Sequence, residues 1–220
     1  MKKMMIFAAM MVATLSANAQ NEVGQVTLKP TVGMNIASMT KCEGSKVRPG
    51  LVVGAEAEFG VAENFGITAG VFYSQQGVKA EGAIAIDVSD LDPTIGIIGF
   101  SGKATYKLDY INIPILAQFY PVKGLALKAG IQPGFCVTKK VKYDGTAIVG
   151  SSATMPYSEE YKMGDAAKDF AFAIPVGVSY EYENFVLDAR YNIGVTKLFK
   201  DADQGRNSTF SITVGYKFAL

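Results

Sequence analysis

Thr209-Phe210-Ser211-Ile212-Thr213-Val214-Gly215-Tyr216-Lys217-Phe218 puts Phe210, Ile212, Val214, Tyr216 and Phe218 on one side and Ser211, Thr213, Gly215 and Lys217 on the other. A two-residue period of this kind is the mark of a strand with one apolar and one polar face. The same pattern runs through Phe185, Leu187, Ala189, Tyr191, Ile193 and Val195, which alternate with Val186, Asp188, Arg190, Asn192, Gly194 and Thr196. It runs again through residues 169–182. Strand-like segments are predicted near 25–37, 49–60, 65–76, 103–120, 125–139, 169–182, 185–198 and 209–218, and no segment has a helical period. In 103–120, Leu108 and Ile111 fall on opposite parities, which predicts a bulge or register change between them.

The connections alternate in length. Those around Val61 to Asn64, Pro121 to Gly124 and Glu183-Asn184 are tight, whereas those near 38–48, 77–102, 140–168 and 199–208 are long and rich in Gly, Ser, Asp and Lys. Short turns on one rim and long loops on the other are the pattern of an outer-membrane barrel, with both chain ends on the short-turn, periplasmic rim. The expected fold is all-β: an eight-stranded antiparallel up-and-down transmembrane barrel in a single domain.

A secreted soluble barrel of the lipocalin kind would also have about eight strands. The polar face decides between them. In 125–139 it reads Ala126, Lys128, Gly130, Gln132, Gly134 and Cys136, small residues around one long charged chain, which suits the interior of a narrow barrel. The other face, Leu125, Leu127, Ala129, Ile131, Pro133, Phe135 and Val137, suits hydrocarbon. Two aromatic belts are expected. Phe59, Phe65, Phe119, Tyr120, Tyr180, Tyr182, Phe185, Tyr216 and Phe218 lie by the short turns or the C-terminus, and Tyr73, Tyr106, Phe135, Phe170, Phe199 and Phe210 near the long loops.

Residues 1–19 read as a cleaved signal peptide. Lys2 and Lys3 form a positive n-region, Met4 to Leu15 an apolar h-region, and Ala17-Asn18-Ala19 a cleavage site, leaving 20–220 as the barrel domain. No stretch reaches the roughly 18 apolar residues that a spanning helix needs. Cleavage removes two lysines and no acid, leaving 19 basic against 20 acidic residues, a charge of −1. A chain so near neutrality gives no reason to expect a nucleic-acid partner. The partners to expect are the lipid bilayer, the barrel-insertion machinery and a protein met by the loops.

The sequence contains no histidine, which removes the commonest general base and metal ligand. No enzymatic activity, cofactor or metal is expected. Asp87, Asp90 and Asp92 cluster in the 77–102 loop but lack the glycine and terminal glutamate of a calcium loop. Cys42 and Cys136 are open to two readings, a disulfide or two free thiols. Inward parity collects Lys29, Lys128, Arg190 and Lys217 against Glu56, Glu58, Glu181 and Asp188, four bases against four acids. Such a set reads as ion pairs plugging the lumen, with a selective pore lined by Arg190, Glu56 and Glu58 as the alternative.

Three runs carry a family resemblance: Leu108-Asp109-Tyr110-Ile111-Asn112-Ile113-Pro114, Lys128-Ala129-Gly130-Ile131-Gln132-Pro133-Gly134 and Asp188-Ala189-Arg190-Tyr191-Asn192-Ile193-Gly194. In order and spacing they resemble the PorT-like outer-membrane β-barrel proteins of Gram-negative bacteria. The resemblance implies a small barrel in the outer membrane, in a family where many members have no assigned activity and one branch serves protein secretion. The ending Phe218-Ala219-Leu220 departs from the terminal aromatic common in such barrels.

Overall fold

The structure, a computed structural model, describes residues 23–40, 45–87, 97–149, 153–164, 167–197 and 205–220. The strands are β1 (Val26–Thr40), β2 (Ser45–Ala62), β3 (Phe65–Asp87), β4 (Ile97–Asn112), β5 (Ile115–Val122), β6 (Leu125–Val149), β7 (Ala153–Lys162), β8 (Phe170–Tyr182), β9 (Phe185–Gly194), β10 (Arg206–Tyr216) and β11 (Phe218–Ala219).

All pairings are antiparallel, and the sheet closes where β10 and β11 pair with β1. Eight staves form the ring. Two of them are interrupted: β4 and β5 are one stave broken at Ile113-Pro114, and β10 and β11 are one broken at Lys217. A closed ring leaves no strand edge within the barrel wall, which is the condition for crossing hydrocarbon with strands. Two-residue turns at Glu63-Asn64, Lys123-Gly124 and Glu183-Asn184 lie on the rim that also holds Val26 and Ala219. Gly124 and Glu183 take positive φ there, of 83° and 54°, as tight hairpins demand.

The bulge lies where the parity change places it. Asp109 faces Thr138 while Tyr110 faces Cys136, so Val137 of β6 is the extra residue. The long connections differ from their sequence reading. Much of 77–102 and 140–168 is not loop but strand: β3 and β4 run on as a hairpin, and β6 pairs with β7, an element that the sequence reading missed. β8, β9 and β10 hold 13, 10 and 11 residues, but β3 and β6 reach 23 and 25. About 9–11 residues cross a bilayer. The remainder stands beyond the long-loop rim as an antiparallel sheet ordered β3-β4-β6-β7, with the first residues of β2, Ser45 to Val47, paired on the other side of β3.

The barrel is polar within and apolar without. Glu56 is 2% exposed and Asn35 0%, whereas Met34 is 64% exposed and Leu187 53%. That inversion rules out the soluble lipocalin-like barrel, which would present its polar face to water. Most of the short-turn belt is outward, including Phe59, Phe119, Tyr180, Tyr182, Phe185 and Phe218. Tyr120 is a correction: it is buried on the lumen side, because its neighbour Phe119 takes the outward parity. At the other rim Phe135, Phe170 and Phe210 are exposed, and Phe199 lies outside the described residues.

Candidate functional site: the lumen and the projecting sheet

Inward positions on different staves bring charges together at mid-barrel because register aligns them. Lys29 of β1 lies directly opposite Glu56 of β2, and Arg190 of β9 shares a face with Asp188. The Glu56 carboxylate receives Lys29 Nζ at 2.8 Å and Arg190 Nη2 at 2.6 Å. Asp188 receives Lys128 Nζ at 2.5 Å and Arg190 Nη2 at 3.3 Å. The Arg190 guanidinium lies 5.9 Å from the centroid of the Phe72 ring, within cation–π range. Nearer the short-turn rim, Lys217 bridges Glu58 at 3.0 Å and Glu181 at 2.9 Å. Tyr120 Oη donates to Glu58 at 2.5 Å, and its ring lies 5.7 Å from Lys217 Nζ.

The eight charges thus form two groups. Lys29, Lys128 and Arg190 face Glu56 and Asp188, a net +1, while Lys217 faces Glu58 and Glu181, a net −1. Glycines on the same face leave room for these long chains. A Cβ on Gly70 would stand 2.8 Å from Glu56 Cγ, and one on Gly215 2.9 Å from Lys29 Cγ. Either methyl would force a charged chain out of its pairing position.

Above the charges lies an uncharged polar layer that the sequence reading did not single out. Asn35 Nδ2 donates to Ser74 Oγ at 2.7 Å, Gln76 Nε2 donates to the same oxygen at 3.0 Å, and Asn207 donates to Gln76. Its signal was the recurrence of amides at inward parity, among them Asn112, Gln132 and Asn192. Cavities of about 20 and 30 Å³ lie between the two layers, both lined by Asn112, Gln132 and Asn192. Each has room for one or two waters. The three runs that carry the PorT-like resemblance converge on this region: Asn112, Lys128, Gln132, Asp188, Arg190 and Asn192 all turn inward. At the upper rim Arg48 lies 3.3 Å from Asp109, which also accepts from Tyr73 Oη at 3.0 Å.

The projecting sheet has two unlike faces. The face continuous with the lumen carries Tyr106, Tyr143, Tyr157 and Tyr161, with Val78 and Val141 buried at its base. The hydroxyls of Tyr157 and Tyr161 are 2.6 Å apart, and the Tyr143 and Tyr161 rings meet edge to face at 6.1 Å. That shared hydrogen bond raises the Tyr157 phenol to about 12. The outward face is rich in lysine. There Glu160 is bridged by Lys107 at 2.5 Å and Lys140 at 2.7 Å, whose hydrogen bonds hold its carboxyl down to about 2.

Among the described residues no group of three ligating side chains could hold a metal ion. Asp90 and Asp92 lie outside those residues, and Asp87 is the last residue of β3. Cys42 also lies outside them; Cys136 is half-buried, its Sγ donating to the Thr138 carbonyl at 3.2 Å.

Residues 18–200 match the model of the outer membrane protein beta-barrel domain. The chain belongs to that family. It is an outer-membrane protein, and the apolar exterior of its barrel is the surface that meets lipid. No protein of curated function matches the sequence. Among solved structures, the chain is similar to Ail, the attachment invasion locus protein of Yersinia pestis, at 16% identity over 90% of this chain and 100% of that one, with a TM-score of 0.46. Neisserial surface protein A is similar at 15% identity over 88% and 97%, with a TM-score of 0.46. The N-terminal barrel domain of Pseudomonas aeruginosa OprF is similar at 12% identity over 90% and 100%, with a TM-score of 0.36.

Proposed function

We propose that this protein is a noncatalytic outer-membrane barrel, closed to solutes, that acts through the sheet it projects beyond the membrane. The observation that carries the proposal is the division of labour along the axis. At mid-barrel the four bases and four acids pair across staves, and the cavities near them hold no more than a few waters, so the lumen serves as a rigid plug. Above it, the β3-β4-β6-β7 sheet presents the tyrosine face on a stiff base, where recognition concentrates. Tyrosine supplies contact area at low entropic cost, which suits a protein partner.

The inward convergence of the three PorT-like runs supports a place among those barrels, including the branch that serves secretion. Residues 1–19 act as the export signal in this reading, and the insertion machinery then receives the exported chain and closes β10 and β11 on β1. Planar-bilayer recording of the purified barrel tests the plug: silence to small ions is expected, and a steady conductance would establish the narrow-porin alternative instead. Crosslinking from intact membranes, with the photoreactive group at Tyr143, is expected to trap a protein, and its loss on Tyr157→Ala/Tyr161→Ala would tie that partner to the tyrosine face.

A further inference from the structure

We infer that the outward face of the projecting sheet is a phosphate-binding collar for anionic glycolipid of the outer leaflet. This goes beyond the recognition role of the opposite, tyrosine face and does not depend on it. Cross-strand register sorts the face into rows. Next to the lipid-facing wall is the row Gln75, Asp109 and Thr138, in which Asp109 is paired with Arg48; above it come Gly77, Lys107, Lys140 and Lys162, then Lys46, Lys79, Thr105, Lys142 and Glu160, then Glu81, Lys103, Asp144 and Ser158, these last three being the lysine rows. Seven lysines therefore stand among three carboxylates, a net charge of +4.

Like charges directly opposite one another on a sheet are destabilising. Lys107, Lys140 and Lys162 are nevertheless consecutive across three strands, and Lys46 faces Lys79. Glu160 is shared by Lys107 and Lys140, Glu81 binds Lys46, and Asp144 binds Lys142 at 2.6 Å. Lys79, Lys103 and Lys162 form no ion pair among the described residues. The face thus carries a surplus of ammonium groups that an outside anion would neutralise.

Height selects the anion. On β6 the outward apolar residues run from Leu125 to Val137, twelve steps, which at ~3.3 Å per residue and ~40° of tilt is about 30 Å along the membrane normal. That equals the hydrocarbon thickness of a bilayer, ~30 Å. Lys140 lies three steps higher, about 8 Å above that edge, at the outer side of the headgroup layer, which adds roughly 5–7 Å to each side of the hydrocarbon. The lysine face stands above the lipid-facing wall of Ile111, Phe135 and Val137, with the Gln75, Asp109 and Thr138 row between them. A lipid seated on that wall would bring its headgroup phosphates against the lysine rows, where Lys162, Lys79 and Lys103 are the ammonium groups not held in an ion pair among the described residues. Soluble anions have no such reason to collect at this height.

The test is native mass spectrometry of the folded barrel in zwitterionic detergent with lipid A, lipid A stripped of its phosphates, or inorganic phosphate. Lipid A is expected to be retained, and Lys79→Gln/Lys103→Gln/Lys162→Gln to weaken retention on the order of 100-fold, each ammonium near an anionic surface contributing roughly fivefold. These three lysines make no ion pair among the described residues, and the heat-dependent gel shift of the variant confirms that its barrel is intact. Lys123→Gln, in a turn on the opposite rim, is expected to leave retention unchanged. The inference is overturned if the triple variant or the dephosphorylated lipid is retained like wild type with lipid A, if millimolar inorganic phosphate displaces the lipid, or if Lys123→Gln weakens retention as much as the triple change.

Discussion

Glu56→Gln should destabilise the barrel more than Arg190→Gln, although both residues belong to one ion pair. The reason is the imbalance of the mid-barrel group. Three bases face two acids there, and Glu56, at 2% exposure, is the acid on which Lys29 and Arg190 converge at 2.8 and 2.6 Å. Removing its charge leaves Lys29 in ion-pair contact with no carboxylate among the described residues and Arg190 with only Asp188, at 3.3 Å and already held by Lys128. The group would move from +1 to +2 within a confined space. Breaking a buried pair so that a charge is left uncompensated costs about 3–5 kcal/mol.

Arg190→Gln has the opposite consequence for the balance. In the structure Glu56 keeps Lys29 and Asp188 keeps Lys128, so two bases face two acids. The loss is that of charge-assisted hydrogen bonds, about 1.5–3 kcal/mol. Val195→Ala, on the lipid side, removes two methyl groups and no charge, which at ~0.8 kcal/mol per CH₂ sets a ceiling of about 1.5 kcal/mol. Urea unfolding in lipid vesicles, read by the heat-dependent gel shift, gives all three values. The reasoning is refuted if Arg190→Gln costs as much as Glu56→Gln, or if Glu56→Gln costs no more than Val195→Ala.

Three further outcomes are expected. Gly77, at φ 127°, sits where β3 leaves the membrane, and a Cβ there would overlap the Tyr106 carbonyl oxygen; Gly77→Ala should loosen the projecting hairpin, seen as faster proteolysis within 77–102 with the barrel still folded. Glu183 holds a positive φ of 54° in a tight turn, a conformation costing a non-glycine residue about 1–2 kcal/mol; Glu183→Gly should raise the urea midpoint, and an unchanged or lower midpoint would show that the turn is not strained. The Glu160 carboxyl, depressed to about 2, should titrate near that pH by carbon NMR, so its contribution to hairpin stability is complete above about pH 4.5 and fades as pH falls toward 2. In the double variant Lys107→Met/Lys140→Met that midpoint should return toward the ordinary glutamate range; a midpoint unmoved by the loss of both lysines would rule them out as its cause.

The alternation in 169–182, 185–198 and 209–218 was enough to fix which residues face lipid and which face the lumen, because side-chain direction along a strand is a local property with a period of two. The short turns and the parity break between Leu108 and Ile111 were legible for the same reason: both are recorded in a few adjacent residues. Pairing was not. Glu56 and Arg190 are 134 residues apart, and their contact exists only because β10 closes on β1 in one register, which sets how far each stave is shifted against the next. The +1 and −1 groups follow from that closure, since parity gives a charge its face but not its height. The projecting sheet was hidden as well. Its Gly, Lys, Asp and Ser residues and Pro156 resemble a loop because above the membrane both faces of a sheet are free of lipid and need no apolar side. Only cross-strand register shows that those scattered lysines stand together, in rows just above the hydrocarbon.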